Sequence, residues 1–163
     1  LAYYGAEMKT LPLRSVLFVC LGNICRSPLA EGVFRAVLEA EGKAGGALID
    51  SAGTNGYHTG EAPDARSIKI ARRYGIDISN QQCRQLVADD FHRFDLIVGM
   101  DRMNMAAIEK RRPAGASAQT GLFYGVALGD AKQIPDPYYG TDSDFEAIYR
   151  MILAASKGLS ARF

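Results

Sequence analysis

The chain has 163 residues, 48% hydrophobic and 23% charged, with Lys+Arg 19 against Asp+Glu 18 and a net charge of +1. That length and apolar content suit one domain with a single substantial core, and the balanced charge, without a long basic tract, speaks against a nucleic-acid or anionic-membrane partner. No apolar run reaches the roughly 18 residues of a membrane span, and Leu1 to Arg14 lacks the cationic and apolar regions of a signal peptide, so the chain reads as soluble and cytoplasmic.

In chain order, residues 1–13 read as an irregular leader and 14–163 as the folded domain. Val16 to Val19 is a short apolar run rich in β-formers, which predicts a buried strand. Leu29 to Glu41 carries Val33, Phe34, Val37 and Leu38 on one helical face, and Gly42 to Gly46 reads as a loop. A second strand follows at Ala47 to Ile49, then a helix from Asp64 to Tyr74 ended by Gly75, then a third strand at Leu96 to Met100. Arg102 to Arg111 is helical, with Met103 and Ile108 facing the core and Lys110-Arg111-Arg112 completing the dipole at its carboxyl end. A fourth strand is expected around Leu122 to Tyr124, a loop at Gly125 to Gly129, and a last helix from Asp144 to Lys157 ended by Gly158. This alternation predicts an α/β fold of three layers: a four-stranded parallel sheet with helices on both faces and a ligand crevice at the carboxyl ends of the strands.

The chemistry concentrates where the first strand ends. Cys20-Leu21-Gly22-Asn23-Ile24-Cys25-Arg26-Ser27 places a cysteine and an arginine at the two ends of a short loop, with Ser27 and Pro28 expected as N-cap and first residue of the following helix. A loop between a buried strand and a helix N-terminus turns backbone N–H groups into one concavity, and the helix dipole adds partial positive charge there. A tetrahedral oxyanion, phosphate above all, suits that nest, and the planar fork of Arg26 donates to two of its oxygens at once. Cys20 at the base faces the phosphorus. A free thiol with pKa near ~8.5 is only about 3% ionised at pH 7, so attack requires surroundings that favour the thiolate; the N–H groups, Arg26 and the Ser27 hydroxyl supply them. By itself a cysteine ending an apolar strand is also compatible with simple packing.

Displacing an alkoxide or phenoxide needs a proton for the leaving oxygen. Asp136, held between Pro135 and Pro137, is placed to supply it and then to activate water against a phosphocysteine. Neither a nucleotide-binding P-loop nor a G-x-G-x-x-G fingerprint occurs, and Cys20, Cys25, Cys83, His58 and His92 form no metal spacing, so no metal or other cofactor is expected. Both histidines read as surface or loop residues.

Taken together, Cys20 to Pro28, Asp50-Ser51-Ala52-Gly53-Thr54 and Asp136-Pro137-Tyr138-Tyr139-Gly140 resemble the low-molecular-weight protein tyrosine phosphatases over roughly residues 13–157. The resemblance implies a flavodoxin-like, phosphotyrosine phosphatase I-like version of the same fold. It implies hydrolysis of phosphotyrosine phosphomonoesters through a phosphocysteine, with a phosphotyrosine protein or peptide as substrate and phosphate as product. By position, Cys20 matches the nucleophile, Arg26 the phosphate-binding arginine and Asp136 the general acid. Leu21, Gly22, Asn23, Ile24, Cys25 and Ser27 match the phosphate-binding loop, with Asn23 and Ser51 as a hydrogen-bonded pair holding its shape and Ser27 as the hydroxyl that stabilises the thiolate. Tyr57, Tyr138 and Tyr139 match the substrate pocket.

The pattern also departs from the family. Tyr57 stands where many eukaryotic members carry a tryptophan, and Asn80 where they carry a histidine. Ile24 replaces the threonine of members that act on phosphoarginine, which favours phosphotyrosine, with phosphoarginine hydrolysis as an alternative. A second alternative is thiol-coupled arsenate reduction, but that chemistry needs further relay cysteines and only Cys83 is available. Cys25, in the same loop as Cys20, is expected to trap an oxidised Cys20 as a disulfide, giving reversible redox regulation. Cys83 is expected to be inert.

Overall fold

The computed structural model describes residues 12–163; the expectation for residues 1–11 lies outside the described residues. Leu13 is buried, and its N–H donates to Arg162 O at 2.7 Å. Four parallel strands, β1 (Ser15–Cys20), β2 (Leu48–Gly53), β3 (Leu96–Gly99) and β4 (Gln119–Leu122), lie in the order β2-β1-β3-β4. The chain turns to opposite sides of β1 in making β2 and then β3, so the strand order switches at the carboxyl end of β1, where an α/β sheet opens its ligand crevice. The predicted three-layer α/β architecture is the one observed.

Residue alternation along β1 builds the layers. Val16, Phe18 and Cys20 face one side, against Leu29 and Phe34 of α1 (Arg26–Ala40), Ile70 of α2 (Ala65–Arg73), Phe123 of α5 (Phe123–Leu128) and Phe145 of α6 (Asp142–Ser160). Leu17 and Val19 face the other, against Phe91 of α3 (Asp90–Arg93) and Ile108 of α4 (Arg102–Arg111). Phe18 is edge-on to both Phe34 and Phe123, at 5.6 and 4.9 Å between centroids.

Several elements differ from expectation. β2 runs on through Asp50 to Gly53, because Ser51 and Ala52, polar and small as they are, pair with Phe18 and Val19 of β1 and are buried there. β4 is earlier than predicted, and Phe123 to Leu128 forms α5 where a strand end and a loop were expected; Phe123 and Val126 are buried from a helix. Gly158 lies inside α6, since a Cβ there would stand 2.5 Å from Ala127 O: this glycine permits close approach of α5 rather than ending the helix. Met103 is 78% exposed rather than core-facing, whereas Ile108 is buried.

Candidate active site

Cys20 ends β1, and the loop after it curls so that its carbonyl oxygens face away from the centre. Thr54 N–H donates to Cys20 O and Asn55 N–H to Leu21 O, both at 2.9 Å, and Asp64 N–H donates to Ile24 O at 2.8 Å. The Cys83 thiol donates to Asn23 O at 2.7 Å and the Ser67 hydroxyl to Cys25 O at 3.1 Å. A trans peptide carries its N–H opposite its carbonyl, so the N–H groups of Leu21, Gly22, Ile24, Cys25 and Arg26 turn inward as a nest.

Asn23 holds this curl, with φ 58 in the left-handed region that asparagine tolerates. Its Oδ1 accepts Arg84 N–H at 2.9 Å, which leaves both Nδ2 hydrogens to donate, to Ser27 Oγ at 2.8 Å and Ser51 Oγ at 3.0 Å. The expected Asn23–Ser51 pair is present. Ser51 in turn donates to Glu31 Oε1 at 2.7 Å. Ser27, accepting from Asn23, lies 3.1 Å from Cys20 Sγ, a contact in which either the hydroxyl or the thiol can be the donor, and 3.4 Å from Ala52 O, to which its hydroxyl donates. From Asn23 one branch of contacts runs through Ser27 to the Cys20 sulfur and Ala52 O, and the other through Ser51 to Glu31. Ser27 makes its contacts from inside the first turn of α1, not as its N-cap; the N-cap is Cys25, which makes no side-chain cap. The N-terminal N–H groups of α1 are thereby left for an anion.

Arg26 is 2% exposed, and its guanidinium is oriented from behind: Nη1 donates to Asp101 Oδ2 at 2.7 Å and to Ile134 O at 2.9 Å. Its Nη2 lies 3.8 Å from Asp136 Oδ2. Asp136 is brought across from the far end of the chain and accepts Tyr138 N–H on Oδ1 at 3.1 Å. These groups line a cavity of about 280 Å³. Cys20, Leu21, Gly22, Ile24, Cys25 and Arg26 form its floor; Asn55, Tyr57 and His58 form one wall and Asp136, Tyr138 and Tyr139 the other. Tyrosines lining a cavity of this size suit a phosphorylated ring. Of the expected residues, Asn23, Ser27 and Ser51 stand beneath the floor.

Burial displaces three titratable groups around the loop. Burial, reinforced by the Asp64 charge, pushes the Cys25 thiol up to about 12, and burial pushes the Cys83 thiol up to about 11. Cys83, remote in sequence, is thus a thiol donor directly under the loop. Burial also raises Glu31 above the ordinary glutamate range, against the opposing Ser51 hydrogen bond and the Arg35 charge. Among the described residues no group of three or more His, Cys, Asp or Glu is arranged to hold a metal ion.

Sequence reasoning missed Asp101, Asn55, His58 and Glu31. Asp101 carried a legible signal, an acid one residue beyond a short apolar strand: Oδ1 caps α4 through Asn104 N–H at 2.7 Å while Oδ2 holds Arg26. His58, read as a surface or loop residue, lines the cavity and reaches Glu61 at 3.1 Å; His92 is exposed on α3.

Residues 15–163 match the family model for the low molecular weight phosphotyrosine protein phosphatase. The human protein of that name is 41% identical over 147 residues, covering 89% of this chain and 90% of its own. Among solved structures, Vibrio vulnificus Wzb in complex with benzylphosphonate is similar with a TM-score of 0.81 and 31% identity, covering 93% of this chain and 99% of its own. DARP, a drosophila arginine phosphatase, is similar with a TM-score of 0.80 and 30% identity, covering 88% of this chain and 93% of its own.

Proposed function

The chain belongs to the low molecular weight phosphotyrosine protein phosphatase family and is an enzyme of the phosphatase class, and from that premise we propose that it hydrolyses phosphotyrosine in proteins or peptides through a phosphocysteine, without a metal. The observation that carries this reading is the hydrogen-bond contact between Ser27 Oγ and Cys20 Sγ at 3.1 Å, at the floor of a nest of N–H groups. N–H groups gathered at a helix N-terminus suit the oxygens of a phosphate placed over that sulfur.

In the first step the Cys20 thiolate forms a bond to phosphorus as the bond from phosphorus to the tyrosyl oxygen breaks, and Asp136 gives that oxygen a proton. In the second, Asp136 as carboxylate takes a proton from water, which attacks the phosphocysteine and releases phosphate and the thiolate. The equatorial oxygens are held by the loop N–H groups and by Arg26, whose fork Asp101 and Ile134 O pre-orient, so that charge stabilisation needs no cation. The aromatic walls of Tyr57, Tyr138 and Tyr139 fit a phenyl ring, a preference consistent with the arylmethyl phosphonate held by the Vibrio relative. No helix among the described residues is long and apolar enough to cross a membrane; we place the enzyme among cytoplasmic phosphoproteins, where thiols remain reduced.

The test is steady-state hydrolysis of phosphotyrosine, phosphoserine, phosphothreonine and phosphoarginine peptides with EDTA present and Cys20→Ser as control. Cys20-dependent release from phosphotyrosine is expected. Selective release from phosphoarginine would keep the mechanism and transfer the substrate to that of the drosophila relative, and thiol-dependent arsenate reduction alone would overturn the reading. We also infer that peroxide converts the Cys20 thiolate to a sulfenic acid that condenses with the Cys25 thiol, forming a disulfide and releasing water. With Cys25 pushed up to about 12, the trap should be slow at neutral pH. Equal recovery of Cys25→Ser and the parent on reduction after peroxide would remove that role.

A further inference from the structure

The segment that carries Asp136 touches the body of the protein at two places, one on each side of the aspartate. Upstream, Ile134 N–H donates to Met100 O at 2.8 Å, and Ile134 O accepts from Arg26 at 2.9 Å. Downstream, Tyr138 O accepts from Arg66 Nη1 at 2.9 Å. The Arg66 guanidinium also spans both oxygens of Asp64, Nε to Oδ1 and Nη2 to Oδ2, each at 3.0 Å. It lies 4.6 Å from the Phe145 ring centroid and 5.4 Å from that of Tyr138. Asp64 in turn gives its backbone N–H to Ile24 O of the phosphate-binding loop. The start of α2 therefore bridges the two halves of the site.

We propose that Arg66 is a positioning residue for the general acid, setting where Asp136 stands relative to Cys20; the inference rests on the reading of Asp136 given above. One edge of a planar guanidinium pairs with Asp64 while the remaining Nη1–H holds Tyr138 O, and both faces are free for rings. Lysine, a point charge with rotatable donors, does not reproduce that set. Tyr138 is the residue whose N–H reaches Asp136 Oδ1, so the carbonyl Arg66 holds and the amide that orients the acid belong to the same residue. Releasing the carbonyl frees the downstream end of the sling. The charges reinforce the pair: the hydrogen bonds from Arg66 hold the Asp64 carboxyl below the ordinary range, and Asp64 raises Arg66.

The experiment measures kcat/KM, which reports events through the first irreversible step, on phenyl phosphate and p-nitrophenyl phosphate. The enzymes are the parent, Arg66→Met, Arg66→Lys, Asp136→Ala and the double variant Arg66→Met/Asp136→Ala, each checked for its melting temperature. Phenolate is the poorer leaving group and needs the acid more. Arg66→Met should lose about tenfold on phenyl phosphate and less than roughly threefold on p-nitrophenyl phosphate, and the double variant should be within about twofold of Asp136→Ala. Arg66→Lys should show the same leaving-group dependence, and it carries the comparison if Arg66→Met does not fold. Equal losses on both substrates, a full additional loss in the double variant, or complete rescue by lysine would overturn the role of Arg66 while leaving Asp136 in place. If Asp136→Ala itself loses equally on both substrates, Asp136 is not the acid, and the positioning role falls with it.

Discussion

On the phosphate-binding loop, Asn23, Arg26 and Ser27 are at most 2% exposed, whereas the Asp136 side chain is 43% exposed and Tyr139 is 96% exposed. The loop is held by a branched series of buried hydrogen bonds from Asn23, one branch reaching Cys20 through Ser27 and the other Glu31 through Ser51. The segment across the cavity is held at Ile134 and Tyr138, with Asp136 open between them. In the proposed reaction a phosphate group is the same in every substrate, so its binding site benefits from rigid pre-organisation; leaving groups differ, and the proposed proton donor meets them in a more open setting. Buried changes should therefore affect activity together with stability, and open ones should affect activity or binding alone.

The largest effect should come from Arg26→Lys. A point charge cannot keep Asp101 and Ile134 O while donating two parallel bonds to the anion, so kcat/KM should fall by about 10²–10³ on any phosphomonoester. A loss confined to one leaving group would place Arg26 with the open segment instead. Next is Asn23→Ala. It deprives Ser27 and Ser51 of a donor and Arg84 N–H of an acceptor, and it asks alanine to hold φ 58. Denaturant unfolding should show about 2–4 kcal/mol of lost stability, with activity lost in parallel. Retention of both would mean that the series is incidental.

A finer probe is Glu31→Gln, read as melting temperature against pH. Burial raises the folded-state pKa of Glu31 above that of the unfolded chain. The folded state then binds the proton more tightly, and the resulting stability is present below the ordinary glutamate pKa and lost as pH rises through the raised one. Glutamine has no such loss, so the melting temperature of the variant relative to the parent should climb from acid toward neutral pH. A flat difference would remove Glu31 from the linkage. The smallest effect on stability is expected of Tyr139→Ala, within about 0.5 kcal/mol, with any change confined to KM for peptides. A clear drop in melting temperature would show the open wall to be structural.

Much of this was legible in the chain. The strand at β1, read as Val16 to Val19, and the helix at α4 follow from an apolar run and a basic carboxyl end that act locally, and the loop from Cys20 to Ser27 announces itself by residue types at fixed spacing. Where burial depends on neighbours, local signals misled. Ser51 and Ala52 are strand residues because β1 covers them, and Gly158 continues its helix because α5 needs the space. Ser27 looked like a cap by its place before Pro28, yet its hydroxyl contacts a sulfur that the turn brings within reach.

The residue order by itself singled out Cys20, Arg26 and Asp136 as the candidate nucleophile, arginine and acid, and determined the alternation of strands and helices, since each follows from chemistry or periodicity within a short stretch. Only the tertiary structure decided which groups they meet: Asp101 and Ile134 O behind Arg26, Glu31 and Cys83 beneath the loop, and Arg66 on Tyr138 O beside Asp136. These partners lie far apart along the chain. A hydrogen bond depends on distance and direction in space, which no spacing in sequence encodes.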